Sequence, residues 1–157
     1  MNALEETGPF TIPYGRNNYC GPCALAYVLQ ADPDKAAALL RKTSGKRSIC
    51  GVSNKLLIAA IWAAGVRTRL AFPIGQVPHP QLRRWLLTRE DPAALYVVNI
   101  TGHYIIVHGD QMFDNRFHLG KTLEKCPYLL RRVVKAWMVL GQAFQQNICL
   151  SVSDDPY

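Results

Sequence analysis

The sequence predicts an α+β fold in which N-terminal helices pack on a C-terminal antiparallel sheet. Up to residue 64, apolar side chains recur mostly at helical spacing. From residue 66 onward, most segments alternate apolar and polar residues or form short apolar runs bounded by turn residues. Helical patterns followed by strand patterns are typical of proteins whose helices are segregated from the sheet.

Two helices are predicted at the start of this region. The first covers residues 21–30. Pro22 is tolerated there because N–H groups in the first turn of a helix have no intrahelical acceptor, so the N–H that proline lacks is not missed. Asp32 and Pro33 end this helix, and a second, shorter helix runs from Asp34 to about residue 42.

A third helix is predicted over residues 54–64. Ser53 is its candidate N-cap, and Gly65 ends it at the C′ position. The apolar residues recur at helical spacing, so we expect one buried face. That face comprises Leu57, Ile58, Ile61 and Trp62.

Five strands and one further short helix are predicted in the rest of the chain. The strands are 66–72, 94–100, 103–108, 111–115 and 132–139, and the helix covers 81–88. Gly109 and Asp110 form a candidate two-residue hairpin turn between the third and fourth strands.

Length and composition predict a single globular domain over residues 1–157. The chain is 49% hydrophobic and 18% charged, which is typical of a protein with a packed core. No apolar run reaches the roughly 18 residues of a membrane span. The acidic N-terminus lacks the apolar segment of a signal peptide, so we expect a cytoplasmic protein with no membrane partner.

The cysteine pattern argues against both a disulfide framework and a metal site. The five cysteines are odd in number and scattered, and the four histidines supply no second half for a zinc site. Cys20 and Cys23 have redox-dithiol spacing, but a loop precedes them instead of the strand that a thioredoxin-like motif requires. We therefore expect no cofactor and no metal, and we expect Cys23 to be a core residue.

Cys20 is the candidate nucleophile. It lies at the start of the first predicted helix, where backbone N–H groups and the helix dipole favour a thiolate. His103, which follows Gly102 at the head of a predicted strand, is the candidate base. The other histidines are weaker candidates, since His79 and His108 lie in predicted surface turns and His118 follows the hairpin.

Strand parity selects the residue that orients His103. With a two-residue turn at 109–110, Ile105 lies opposite Asp114, so Asp114 shares a face with His103. A three-residue turn would place Asn115 there instead. We favour Asp114 and keep Asn115 as the alternative.

These residues resemble the papain-like cysteine peptidases, especially the compact bacterial and phage proteins related to the bacteriocin-processing domains of exporters. The similarity covers residues 18–25, residues 102–107 with 114–115, and a segment over 51–66. It implies hydrolysis of a peptide or isopeptide bond in a protein or peptide substrate through an acyl-enzyme at Cys20. It also fits a bacterial or phage-infected cell as the location, or a virion. Transfer or deamidation of a glutamine side chain would use the same three groups.

One family feature differs. Papain-like enzymes pair the backbone N–H of the nucleophile with a glutamine a few residues upstream, and this chain has Tyr14 six positions before Cys20. Asn17 or Asn18 can donate an amide N–H to the oxyanion instead.

Two other functions are compatible with the sequence. A papain-like protein without activity would serve as a binding or structural module, for example a phage product that docks on a host or virion partner. The basic segment over 116–135, within a chain of net charge +7, would suit nucleic acid as an alternative partner or an acidic protein.

Overall fold

A computed structural model of the chain describes residues 19–49, 51–71, 78–117 and 119–140. The helices are α1 (Cys20–Leu29), α2 (Pro33–Ser44), α3 (Asn54–Ala63) and α4 (Leu82–Thr88). The strands are β1 (Arg67–Leu70), β2 (Leu95–Ile100), β3 (Tyr104–His108), β4 (Gln111–Phe113), β5 (Lys121–Thr122) and β6 (Val133–Leu140). They form one antiparallel sheet in the order β1-β6-β2-β3-β4-β5. The expected α+β class, with helices first and an antiparallel sheet later, is confirmed.

Capping groups set the helix boundaries close to the predicted ones. The Asp32 carboxylate accepts a hydrogen bond from the Asp34 N–H at 2.7 Å, so α2 begins at Pro33. Ser53 Oγ accepts from the Leu56 N–H at 3.2 Å and caps α3. Gly65, at φ +84°, follows the C-cap and ends α3 as predicted. Within the described ranges, no helix has the length and hydropathy needed to cross a bilayer.

The predicted buried face of α3 is only partly correct. Leu57 and Ile61 are fully buried, and Ile58 is half-buried. Trp62, which we expected in the core, is 59% exposed, and its indole N–H donates to Thr68 Oγ1 at 2.9 Å. The indole N–H therefore finds its partner on β1 at the edge of the sheet, whereas Leu57 and Ile61 supply the helix's contact with the core.

The sheet separates two hydrophobic cores. Helices α1, α2 and α3 cover one face, against side chains such as Val97 and Ile106. Helix α4 and residues Cys126 and Tyr128 cover the other face, against side chains such as Val98 and Ile105. The two central strands are consequently buried on both sides, which is why β2 and β3 have nearly continuous apolar sequences.

The hairpin between β3 and β4 has the predicted register. His108 pairs with Gln111 and Ile106 with Phe113 around the Gly109-Asp110 turn, and Gly109 has φ +62°. The strand predicted over 111–115 is too long, because β4 ends at Phe113 and the two following residues leave the ladder. The two-residue strand β5 and the 3₁₀ turn Leu123–Lys125 were not predicted, since two or three residues carry no periodicity.

Candidate active site

Cys20 is the first residue of α1. Its N-cap, Tyr19, makes no side-chain capping bond, although its carbonyl accepts from the Cys23 N–H at 3.0 Å. The sulfur of Cys20 instead receives backbone hydrogen bonds from Gly21 and Tyr104. One main-chain donor at the N-terminus of α1 and one at the start of β3 therefore face the thiol, and both favour its ionised form.

Gly21 allows the start of α1 to pack closely against the segment before α3. A Cβ atom at this position would lie 2.5 Å from Val52 Cγ2. That distance is far below van der Waals contact, so only glycine fits here without a shift of Val52 or of the helix. The glycine after Cys20 thus fixes how α1 approaches its neighbour.

His103 is held by a tight hairpin turn between β2 and β3. Thr101 and Gly102 occupy the two central positions with φ of +51° and +79°, and the Ile100 N–H donates to the His103 carbonyl at 2.8 Å. Positive φ at both positions defines the type I′ turn that suits twisted strands. His103 therefore leaves the turn directly before β3, with its side chain 16% exposed.

Asp114 is buried and accepts four hydrogen bonds. One carboxylate oxygen, Oδ1, accepts from the backbone N–H groups of Arg116 and Phe117, both at 2.8 Å. The other, Oδ2, lies 2.8 Å from His103 Nε2 and accepts from the Tyr128 hydroxyl at 2.7 Å. Burial raises the pKa of Asp114, but these four donors outweigh it and hold that pKa below its ordinary value.

The thiol of Cys20 and the imidazole of His103 are hydrogen-bonded to each other. Because Asp114 occupies Nε2, the other ring nitrogen, Nδ1, is the one left for the sulfur. Asp114 is acceptor-only when ionised, so Nε2 carries a proton. The three side chains therefore form one continuous chain from sulfur to imidazole to carboxylate.

Burial and pairing act in opposite directions on this pair. Burial raises the pKa of Cys20, but the His103 hydrogen bond, the main-chain donors and the imidazolium charge bring it below its ordinary value. Burial lowers the pKa of His103, but Asp114 and Cys20 raise it to about 9. Both shifts favour a thiolate–imidazolium pair near neutral pH.

The other described thiols shift the opposite way. Burial, with the charges of Cys20 and Asp114, raises the pKa of Cys23 to about 12. Burial also raises the pKa of Cys126. Cys23 lies in the core, as predicted. Cys20 is consequently the only thiol with a lowered pKa within the ranges that the structure describes, which exclude Cys50 and Cys149.

A polar network joins the His103 hairpin to α3. Asn54 Oδ1 accepts from Asn99 Nδ2 and from the Tyr104 hydroxyl, both at 2.7 Å. Asn99 Oδ1 accepts in turn from the Gly102 N–H at 3.2 Å. Neither this network nor the hydrogen bond from Tyr128 to Asp114 was predicted. A polar residue within an apolar strand, such as Asn99, is the signal that would have indicated the network.

The structure places the remaining predicted residues as follows. Asn115 is buried beside Asp114, and the oxygen that lies 2.8 Å from His103 Nε2 belongs to Asp114. His79 and His108 are exposed. The predictions for Tyr14, Asn17, Asn18 and His118 lie outside the described residues.

Comparisons with known proteins assign no family. No protein-family model matches the chain, and no curated protein matches it significantly. Among the described residues, no group of three or more His, Cys, Asp or Glu side chains is arranged to hold a metal ion. The candidate site therefore rests on its own geometry, in which Cys20, His103 and Asp114 converge.

Proposed function

We propose that this protein is a papain-like cysteine hydrolase that cleaves a peptide or isopeptide bond in a protein or peptide substrate. The observation that carries the proposal is the hydrogen-bonded chain from Cys20 through His103 to the buried Asp114. The order of these residues along the chain, with the nucleophile at a helix start and the base beside a strand, also supports a papain-like fold.

In this mechanism the Cys20 thiolate attacks the substrate carbonyl carbon and forms a tetrahedral oxyanion. The imidazolium of His103 then protonates the leaving amine as the C–N bond breaks, which leaves a thioester on Cys20. His103, now neutral, removes a proton from water, and the hydroxide attacks the thioester to release the acid and restore the pair. Asp114 holds the imidazole through Nε2 throughout.

The backbone N–H of Cys20, at the start of α1, is the proposed main-chain donor to the oxyanion. Asn17 remains the proposed side-chain donor, in place of the family's glutamine. If an amine attacked the thioester in place of water, the same three groups would carry out transfer. If a glutamine side chain were attacked in place of the peptide bond, they would carry out deamidation. Hydrolysis is the simplest reaction that needs nothing beyond them.

The test is the pH dependence of thiol alkylation by iodoacetamide, read by mass spectrometry for each cysteine. We expect Cys20 to react faster than Cys126 at neutral pH, because only the thiolate reacts. In the His103→Ala variant the inflection of the Cys20 rate should move to higher pH. The burial that raises the pKa of Cys20 stays, whereas the opposing hydrogen bond is lost.

His108→Ala is the matched control, because His108 is an exposed histidine at the other end of the same strand. It should leave the Cys20 profile unchanged. A Cys20 that reacts no faster than Cys126, or that responds equally to both histidine variants, contradicts the hydrolase. Retained biological function in a Cys20→Ala variant would favour the second hypothesis, a binding or structural module.

A further inference from the structure

The surroundings of His103 on the sheet side carry positive charge. The exposed basic side chains in the segment after Asp114 are Arg116, Lys125, Arg131, Arg132 and Lys135. Within the described ranges, none of the five forms an ion pair with a carboxylate. The single acidic residue of this segment besides Asp114 is Glu124, so the positive charges are not neutralised locally.

Two of these arginines approach the catalytic groups through Tyr128. The Tyr128 ring lies 5.3 Å from the His103 ring, and the Arg131 guanidinium lies 5.8 Å from the centre of the Tyr128 ring. Arg131 therefore stacks on the residue that contacts the candidate base. Its charged head remains exposed and able to bind an anion.

Arg116 approaches the same tyrosine from the loop that follows Asp114. Its backbone N–H is bound to Asp114 Oδ1 at 2.8 Å, which fixes the start of its side chain beside the site. Burial and the contact with Asp114 raise the pKa of Tyr128, and the Arg116 charge opposes this rise. The guanidinium of Arg116 thus acts electrostatically at the Tyr128 hydroxyl.

On the helix side, one carboxylate lies close to the residue that precedes Cys20. Asp34, at the start of α2, accepts a hydrogen bond from the Tyr19 hydroxyl at 2.7 Å, directly before the nucleophile. The residue before the nucleophile thus binds a carboxylate, whereas the two arginines lie near Tyr128, which contacts His103. A substrate with one acidic side chain would be bound in a defined direction by this arrangement.

We propose that Arg116 and Arg131 form an anion-binding subsite beside His103, which selects substrates carrying an aspartate or glutamate side chain close to the cleaved bond. This inference rests on the proposed function, because it assumes that Cys20 is the reacting group. Guanidinium groups suit this role, since they bind carboxylates through two parallel hydrogen bonds.

The test compares the alkylation of Cys20 by iodoacetate and by iodoacetamide at low ionic strength. In both reactions the sulfur displaces iodide and an S–C bond forms. The same thiolate is consumed in both reactions. The rate constant for iodoacetate divided by that for iodoacetamide therefore reports the effect of the reagent's negative charge. In a double variant, Arg116→Gln with Arg131→Gln, we expect this ratio to fall on the order of tenfold. High salt should lower the wild-type ratio similarly.

Arg67→Gln is the matched control. It removes one positive charge from an exposed position on β1, which lies at the edge of the sheet formed by the described strands and pairs there with β6. The ratio of the iodoacetate and iodoacetamide rate constants in this variant should equal that of the wild type. An unchanged ratio in the double variant, or an equal fall with Arg67→Gln, overturns the subsite.

A peptide probe tests whether the subsite accepts acidic side chains in an extended chain. Hexaglutamate should slow the reaction of Cys20 with iodoacetamide, whereas hexaglutamine should not, and the double variant should lose the difference. Equal effects of the two peptides on the wild type overturn the substrate assignment. These outcomes are separate from the proposed function, which is tested by the reactivity of Cys20 toward iodoacetamide and by its response to the two histidine variants.

Discussion

Four donors converge on the two oxygens of Asp114, and this arrangement suits a carboxylate better than an amide. Two backbone N–H groups bind Oδ1, and His103 and Tyr128 bind Oδ2. An asparagine at this position would replace one oxygen with an NH₂ group, which is itself a donor. With the NH₂ group at the Oδ1 position, two backbone N–H groups lose their acceptor. With it at the Oδ2 position, the protonated Nε2 of His103 loses its acceptor, whereas the Tyr128 hydroxyl can rotate and accept.

Asp114→Asn should therefore impair the site even though its shape is nearly unchanged. We expect the free energy of unfolding to fall by about 2–3 kcal/mol, the usual cost of buried donors left unpaired. We also expect the pH inflection of Cys20 alkylation to rise, because His103 loses the partner that favours its charged form. Urea denaturation and the alkylation profile measure the two effects.

Asp110→Asn is the control for this substitution, since Asp110 is exposed in the hairpin turn. It should change neither quantity measurably. A fully stable Asp114→Asn variant with a wild-type Cys20 profile would show that the carboxylate charge has no role in the pair.

The sequence predicts that Cys20, His103 and Asp114 lie close together, because each belongs to a regular element or its end. The start of a helix, the start of a strand and the alternation of side chains along paired strands can each be read from local sequence, and each determines where a side chain lies in the fold. Tyr128 and Asn54 also contact these groups, but no pattern reveals it. Tyr128 lies in a turn that follows the 3₁₀ helix, and the Asn54 contact depends on how α3 packs on the sheet, which is a tertiary property.

At the scale of elements, the turn between β2 and β3 stores strain beside the candidate base. Thr101 is β-branched and has φ +51°, a conformation that such residues rarely adopt. Its hydroxyl donates to the Arg132 carbonyl at 3.3 Å, a weak compensation. Type I′ turns favour asparagine followed by glycine, and Gly102 already occupies the second position.

Thr101→Asn should consequently stabilise the protein by about 1 kcal/mol, because asparagine tolerates positive φ. The urea midpoint measures this gain. The control is Thr122→Asn at an exposed position with φ −60°, where no backbone strain exists to be relieved. If Thr101→Asn were no more stable than the wild type, the turn would not be strained.

Elements with a local signal were predicted to within one or two residues, and those without one were not. Ser53 and Gly65 fixed the ends of α3 as expected, whereas Asp32, which was expected to end the first helix, also caps α2. Trp62 was assigned to the core because helical spacing defines a face but not its width. Its exposure follows from which part of α3 contacts the sheet, and the helix sequence does not contain that information.

At the scale of the whole molecule, the catalytic pair changes how stability depends on pH. The raised pKa of His103, about 9 against 6.5 when unfolded, contributes stability that is complete below pH 6.5 and is lost as pH rises through 9. The lowered pKa of Cys20 acts in the opposite direction. Its contribution is complete above the unfolded value of 9.0 and is lost as pH falls through the folded pKa.

These two contributions cancel between the folded pKa of Cys20 and pH 9. In that range the folded pair holds one proton, on the imidazole, and above pH 6.5 the unfolded pair also holds one, on the thiol. Equal proton binding gives no slope in the free energy of unfolding.

Cys20→Ser breaks this cancellation. The serine hydroxyl does not ionise, whereas Asp114 continues to raise the pKa of His103, so the variant should lose stability as pH rises from 6.5 toward 9. The difference between the wild type and the variant should grow by about 1 kcal/mol across this window. Urea denaturation at both ends of the window, under reducing conditions, measures it. Taking the difference removes the ionisation of Cys23 and Cys126, which both proteins share. If the two proteins changed in parallel, Cys20 would carry no charge in the folded state, and the thiolate–imidazolium pair would not exist.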